Sequence, residues 1–178
     1  MTDQGIYELA CIFKRAMLKA KDEGLFEGDE IFCDFPTGCC GPTCHLLANF
    51  LNDYDIETIY VWGDYGLQSH AWLVVNDSRV KAPTYRYTDV GEEYARLVNQ
   101  YGGNTNGQIE DSSYKARDLT YGLVIDITAD QFGQPSVYVG GRNDFYRKHK
   151  FRCAYICEGA NDKWLHDLYR NIAWYLPR

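Results

Sequence analysis

The sequence lacks any long apolar run, and it has no excess of basic residues. No apolar stretch approaches the roughly 18 residues of a membrane-spanning helix, so we expect no membrane segment. Lys and Arg number 18 against 25 Asp and Glu, and the resulting net charge of −7 would repel a nucleic-acid backbone. The one basic cluster, residues 147–150 with Arg142 and Arg152 nearby, is short, and we predict that it is a solvent-exposed loop. Neither nucleic acid nor a membrane is therefore expected as a partner.

The N-terminal segment lacks the basic start, apolar stretch and small-residue cleavage site of a signal peptide. Seven cysteines are present, an odd number, so at least one thiol has no partner within the chain. A chain of 178 residues, of which 46% are hydrophobic, can form a core without disulfides. We therefore expect a reducing, cytoplasmic location, and delivery by a route that uses no signal peptide is also compatible with the sequence.

Hydrophobic periodicity predicts an α+β fold in a single domain, residues 1–178. Apolar residues recur at helical spacing in three segments, 6–20, 44–51 and 164–172, with Asp162 as a cap for the last of them. Lys14 falls outside the apolar face of the first of these helices. Four β-rich runs lie at 56–62, 69–75, 121–127 and 137–140. Residues 76–119 show no strong period, and we predict an insertion there, with a short helix at about 92–101.

Two adjacent cysteines, Cys39 and Cys40, precede the second predicted helix. Pro42 is of a type that is tolerated in a first helical turn, so the pair lies at or just before the helix N-terminus. Unpaired N–H groups at a helix start stabilise a thiolate, the nucleophilic form of cysteine, and they can also stabilise the oxyanion of a tetrahedral intermediate. Cys40 is therefore the candidate nucleophile, and Cys39 is its rival.

A histidine and an aspartate in two of the β-rich runs could complete such a site. Alternation along residues 69–75 places His70 and Trp72 on one face of a strand, where His70 could act as a general base. Asp126 interrupts an apolar run, and a buried carboxylate needs a charged or strongly donating partner. An imidazole on a neighbouring strand would be that partner, and Asp126 would orient it.

The motifs that contain these residues resemble the transglutaminase-like core of the papain-like cysteine enzymes. They follow each other on a helix, a strand and a strand: Gly38-Cys39-Cys40, His70-Ala71-Trp72 and Ile125-Asp126-Ile127-Thr128. The resemblance covers about 38–133 and implies a papain-like fold, with the nucleophile at a helix N-terminus packed on an antiparallel sheet that carries His and Asp. It requires residues 76–119 to be an insertion, because the second gap is usually shorter in that family.

The resemblance implies acyl transfer on an amide bond of a protein or peptide, through a thioester and without a cofactor. Hydrolysis or deamidation is favoured, by an amidase, a peptidase or a protein glutamine deamidase, and transglutaminase-type amine transfer is the alternative. Three further residues are candidates for substrate contact. They are Trp72, for which core packing is the more expected role, Gln131, which could instead cap its loop, and Cys39.

Two non-enzymatic alternatives remain at this stage. The first is a zinc-binding module, with ligands from Cys33, Cys39, Cys40, Cys44 and His45. Adjacent cysteines rarely bind one ion together, and only Cys153 with Cys157 could form a second pair, so we expect no metal. The second is an interaction protein whose 15 tyrosines form a contact surface. The substrate and the oligomeric state stay open.

Overall fold

The computed structural model describes residues 1–83, 114–160 and 162–177. These residues form an α+β fold with one open antiparallel sheet, which confirms the predicted fold class at this level. The elements in chain order are α1 (Asp3–Asp22), α2 (Cys40–Asn52), β1 (Thr58–Tyr65), β2 (Gln68–Val75), β3 (Leu123–Asp126), β4 (Tyr138–Gly141), α3 (Asp144–Lys148), β5 (Lys150–Cys157) and α4 (Lys163–Ile172). The strand order is β4-β3-β2-β1-β5. The helix predicted at 92–101 and most of the predicted insertion lie outside the described residues.

The sheet is buried on both faces, because each strand alternates its apolar side chains between two cores. Ala71 and Leu73 face the larger core, which α1, α2 and α4 also fill. Trp72 and Val74 face a smaller core on the other side, which includes Tyr146 of α3. The alternation predicted for β2 is thus confirmed. Among the described helices, none has the length and apolar character needed to cross a membrane.

Helix caps agree with the sequence at both ends of the chain. Asp162 accepts a hydrogen bond from the Leu165 backbone N–H at 2.7 Å, so the predicted cap of α4 is confirmed. At the other end Thr2 accepts a hydrogen bond from the backbone N–H of Gly5 and caps α1. Both caps satisfy N–H groups that have no partner inside the helix.

Two predictions about charged residues were wrong. The basic cluster 147–150 is not a loop, because it contains the end of α3 and the start of β5, which pairs with β1. Arg152 of that strand forms an ion pair with Asp64, at 2.5 Å. Lys14, which the periodicity placed outside the apolar face of its helix, is only 3% exposed, because its long side chain reaches the buried Ile127 carbonyl.

Candidate functional site

Antiparallel pairing of β2 with β3 brings His70 and Asp126 together. Leu73 lies opposite Ile125, so the last residue of β3 lies close to the first half of β2. The Nε2 of His70 and the Oδ2 of Asp126 are 2.6 Å apart, and the two residues are 0% and 3% exposed. The structure therefore joins two of the predicted site residues in a short, buried hydrogen bond.

The Asp126 carboxylate has further donors that hold its orientation. Its Oδ1 accepts hydrogen bonds from the Thr128 backbone N–H at 2.8 Å and from the Thr128 hydroxyl at 3.1 Å. Its Oδ2 also accepts one from the Tyr146 hydroxyl at 3.1 Å. A buried carboxylate needs such partners because burial removes its hydration. Asp126 is thus fixed with one oxygen directed at His70.

The His70 ring has one nitrogen engaged and one free. Burial lowers its pKa, but the hydrogen bond to Asp126 and the nearby Cys40 thiol outweigh burial and raise the pKa of His70 to about 9. With Nε2 on Asp126, the remaining nitrogen Nδ1 has no hydrogen-bond partner among the described residues. The Cys40 thiol is close enough to this ring to raise its pKa. Near neutral pH the ring is therefore protonated, with its Nδ1 close to that thiol.

Cys40 is the first residue of α2, as the sequence predicts for the nucleophile. The preceding loop turns at Gly38, whose φ of 74° lies in the left-handed region that favours glycine. Gln131 connects this loop to the turn after β3. Its side chain accepts a hydrogen bond from the Gly38 N–H at 3.2 Å and donates one to the Thr128 carbonyl at 2.9 Å. Gln131 thus makes the loop contacts that the sequence offered as its alternative role.

Cys39 occupies a different environment from its neighbour. It is fully buried, and its sulfur accepts a hydrogen bond from the Thr43 hydroxyl at 3.6 Å. Burial raises the pKa of Cys39 to about 11, so its thiolate is scarce at neutral pH. Cys40 is half-buried. Of the two adjacent thiols, the geometry favours Cys40 for contact with a substrate.

Trp72 lies in the smaller core, where it is 1% exposed. Its ring centroid is 5.9 Å from that of His70 and 5.3 Å from that of Tyr146. This position fits the core-packing role that the sequence favoured. Trp72 supports the His70 ring from within the fold.

Several rings around His70 were not anticipated from the sequence. Phe132, Phe145 and His149 have ring centroids 4.9, 5.7 and 5.9 Å from that of His70. The last two belong to α3 or follow it directly, and α3 is too short for an apolar period to show. The sequence signal that could have predicted the start of α3 is Asn143, a residue type that favours helix caps. Asn143 accepts a hydrogen bond from the Phe145 N–H at 2.9 Å.

A buried cation organises the turn after Asp126. The Nζ of Lys14 donates to the Ile127 carbonyl at 2.6 Å and to the Asp130 carboxylate at 2.9 Å. The same ammonium lies 4.8 Å from the centroid of the Phe35 ring, in the segment that leads to Cys40. Lys14 therefore contacts both the segment before Cys40 and the turn after Asp126.

Replacing Lys14 by Met should lower the free energy of unfolding by about 2 kcal/mol, because the buried Ile127 carbonyl loses its donor and Asp130 its cation. Urea unfolding measures the change. Lys19→Met is the matched control, since Lys19 is an exposed lysine of the same helix with a 3.8 Å ion pair to Glu23. Equal effects of the two replacements would contradict the structural role of Lys14.

The side chains offered as zinc ligands are not grouped in the part of the chain that the structure describes. Within residues 1–83, 114–160 and 162–177, no three His, Cys, Asp or Glu side chains are grouped as metal ligands would be. All seven cysteines are free. Cys33 is exposed and Cys39 is buried, so these two candidate ligands lie in different environments.

No protein-family model, characterised protein or solved structure matches the chain. The resemblance of its three motifs to the transglutaminase-like core therefore stays a prediction from sequence.

Proposed function

We propose that the protein is a cysteine-dependent acyl-transfer enzyme that acts on an amide bond, with Cys40, His70 and Asp126 as its catalytic triad and a papain-like arrangement of its core. One observation carries the proposal. The His70 ring is buried with Nε2 bonded to Asp126 at 2.6 Å, while its Nδ1, which has no hydrogen-bond partner in the described part of the chain, is left for the helix-start thiol Cys40. Cys40, His70 and Asp126 lie in that order on a helix, a strand and the neighbouring antiparallel strand, and this order also supports the proposal.

In the first half of the reaction the Cys40 thiolate attacks the amide carbonyl carbon. A C–S bond forms, the carbonyl electrons move to oxygen, and backbone N–H groups at the start of α2 are available to stabilise that oxyanion. The tetrahedral intermediate collapses, the C–N bond breaks, and the protonated Nδ1 of His70 gives its proton to the leaving amine. Because the pKa of His70 is about 9, this proton is present at neutral pH.

In the second half, water attacks the thioester carbon. Neutral His70 takes one proton from that water, the C–S bond breaks, and the Cys40 thiolate and the protonated ring return. Asp126 accepts the hydrogen bond from Nε2 throughout and so keeps Nε2 as the donor nitrogen. The proposed reaction is thus hydrolysis of an amide, with deamidation as the case in which the leaving amine is ammonia.

Brief exposure to iodoacetamide at pH 7, followed by peptide mapping, tests the nucleophile. Cys40 should alkylate at least about tenfold faster than Cys33, because a positive ring beside a thiol at a helix start stabilises the reactive thiolate. Cys33 is the internal control. It is exposed whereas Cys40 is half-buried, so accessibility alone would favour Cys33.

The variant His70→Ala should remove the advantage of Cys40 in the same assay. Labelling in proportion to exposure in the unmodified protein would overturn the enzyme proposal and favour the interaction protein. Preferential labelling of Cys39 would move the nucleophile by one residue.

A further inference from the structure

Two donors share one oxygen of the Asp126 carboxylate. The Nε2 of His70 lies 2.6 Å from Oδ2, and the Tyr146 hydroxyl lies 3.1 Å from the same atom. The other oxygen, Oδ1, accepts two hydrogen bonds from Thr128. Tyr146 therefore shares with His70 the negative charge of a single oxygen, and no step of the proposed reaction yet uses this contact.

Aromatic neighbours hold the Tyr146 side chain in place. The residue is 1% exposed, and its ring centroid lies 5.3, 5.2 and 5.0 Å from those of Trp72, Tyr138 and Phe145. Burial and the charge of Asp126 raise the pKa of Tyr146, so the hydroxyl keeps its proton at neutral and moderately alkaline pH. The fold thus provides a fixed donor to Asp126, before any substrate binds.

A donor that bonds a carboxylate oxygen lowers the affinity of that oxygen for other protons. A hydrogen bond to an ionised group is stronger than one between neutral groups, and it offsets part of the negative charge. The charge that remains on Oδ2 attracts the proton of the His70 ring. The Tyr146 hydroxyl therefore weakens the hold of Asp126 on that proton.

We propose that Tyr146 is a positioning residue of the triad which, by bonding the same Asp126 oxygen as His70, eases the release of the proton from the His70 ring. This inference rests on the proposed function. Hydrolysis needs both forms of the ring, because the protonated form gives its proton to the leaving amine and the neutral form takes one from the attacking water. A ring that is held too firmly in its protonated form would still support acylation of Cys40, but it would be slow to hydrolyse the thioester.

The variant Tyr146→Phe removes the hydroxyl and keeps the ring. With p-nitrophenyl acetate, the Cys40 thiolate attacks the ester carbon, a C–S bond forms, the C–O bond breaks, and p-nitrophenolate leaves in an initial burst. Water then attacks the thioester carbon, one of its protons goes to neutral His70, the C–S bond breaks, and acetate leaves. This second half sets the steady rate.

At pH 7 the variant should keep the burst rate within about threefold and lose at least about threefold in the steady rate. The expected loss corresponds to a rise of about half a unit in the pKa of His70, which reduces the neutral fraction of the ring by that factor. A role in packing alone would lower both rates together.

The pH profile separates the two roles further. The acidic limb of the steady rate should move to higher pH by at least about half a unit in Tyr146→Phe, and the two proteins should have similar rates above it. Two titratable neighbours of the triad leave this limb unaffected, since burial raises the pKa of Cys44 and lowers that of His149. Cys40 carries the acetyl group during this half-reaction and does not titrate.

An NMR titration of the His70 ring tests the same point without a substrate. The ring signal is identified by its loss in His70→Gln and followed from pH 6 to pH 11. The pKa of His70, about 9 in the wild type, should be at least about half a unit higher in Tyr146→Phe.

Tyr138→Phe is the matched control. It removes a hydroxyl from the same group of aromatic rings, but that hydroxyl donates to the Gly141 carbonyl and not to Asp126. Its pH profile and its His70 titration should equal those of the wild type.

The negative results have different meanings. An unchanged or lowered pKa of His70 in Tyr146→Phe, or the same shift in Tyr138→Phe, would overturn the role of Tyr146. So would equal losses of burst and steady rate without movement of the pH limb. No burst of the wild type beyond the Cys40→Ala background would overturn the proposed function instead, and the NMR titration would still decide whether Tyr146 controls the proton of His70.

Discussion

Asp126→Asn is expected to lower the rate of acylation of Cys40 by up to about 10⁴-fold, the loss seen for the same replacement in a serine-protease triad. In the wild type the carboxylate accepts from Nε2 of His70. An asparagine held by Thr128 through its Oδ1 would turn its NH₂ group towards that nitrogen. The ring would then carry its proton on Nδ1 in the neutral form and could not accept one there. The initial burst of p-nitrophenolate, released when p-nitrophenyl acetate acylates Cys40, measures this rate.

The control for this variant is Asp130→Asn, the same chemical change four residues further along the chain. Asp130 pairs with Lys14 and has no bond to His70, so its replacement should affect stability and leave the burst rate within about threefold of the wild type. Melting temperatures show that both variants are folded at the assay temperature. A destabilised Asp126→Asn protein with an unchanged burst rate would remove Asp126 from the triad.

Local pattern was enough to predict most of the elements and the principal contact of the site. Asp126 was identified because it interrupts an apolar run, and His70 because alternation along β2 places it on one face with Trp72. Once the two strands pair, a buried carboxylate has few possible partners, so the bond between them follows from general physical chemistry. The helix start at Cys40 followed from Pro42 and the apolar stripe behind it.

The remaining features depend on long-range packing, which local periodicity does not contain. β5 begins with Lys150 and Arg152, and these charges hid a strand that pairs with β1. Tyr146 reaches Asp126 only because α3 folds over the smaller core, and a five-residue helix has no period to detect. The burial of Lys14 could not be predicted from the helical period, because its acceptors lie more than 100 residues away in the sequence.

The stability of the protein is expected to fall with rising pH between about 6.5 and 9, because of His70. Its folded pKa is about 9 against 6.5 for a free histidine, so the folded state holds this proton more tightly than the unfolded state. The stabilisation is complete below pH 6.5 and is lost as the pH rises through 9. A difference of this size corresponds to about 3 kcal/mol.

Urea unfolding of the wild type and of His70→Gln at pH 6, 7, 8 and 9 isolates this contribution. His45 and His149 have pKa values lowered by burial, so they act in the opposite sense and below about pH 6.5. Burial raises the pKa of Cys39, Cys153 and Cys157, and these thiols act mainly above pH 9. Both sets are common to the two proteins and cancel in the difference, apart from the part of the His149 shift that comes from the charge of His70 and acts below about pH 6.5.

The difference in unfolding free energy between wild type and His70→Gln should therefore shrink by about 3 kcal/mol from pH 6 to pH 9. A difference that stays constant would mean that the contact with Asp126 does not raise the pKa of His70, so that the ring is largely neutral at pH 7 and above. It would then be unable to supply the proton that the leaving amine needs at neutral pH. This measurement needs no substrate, so it tests the charge state of the proposed triad before any substrate is known.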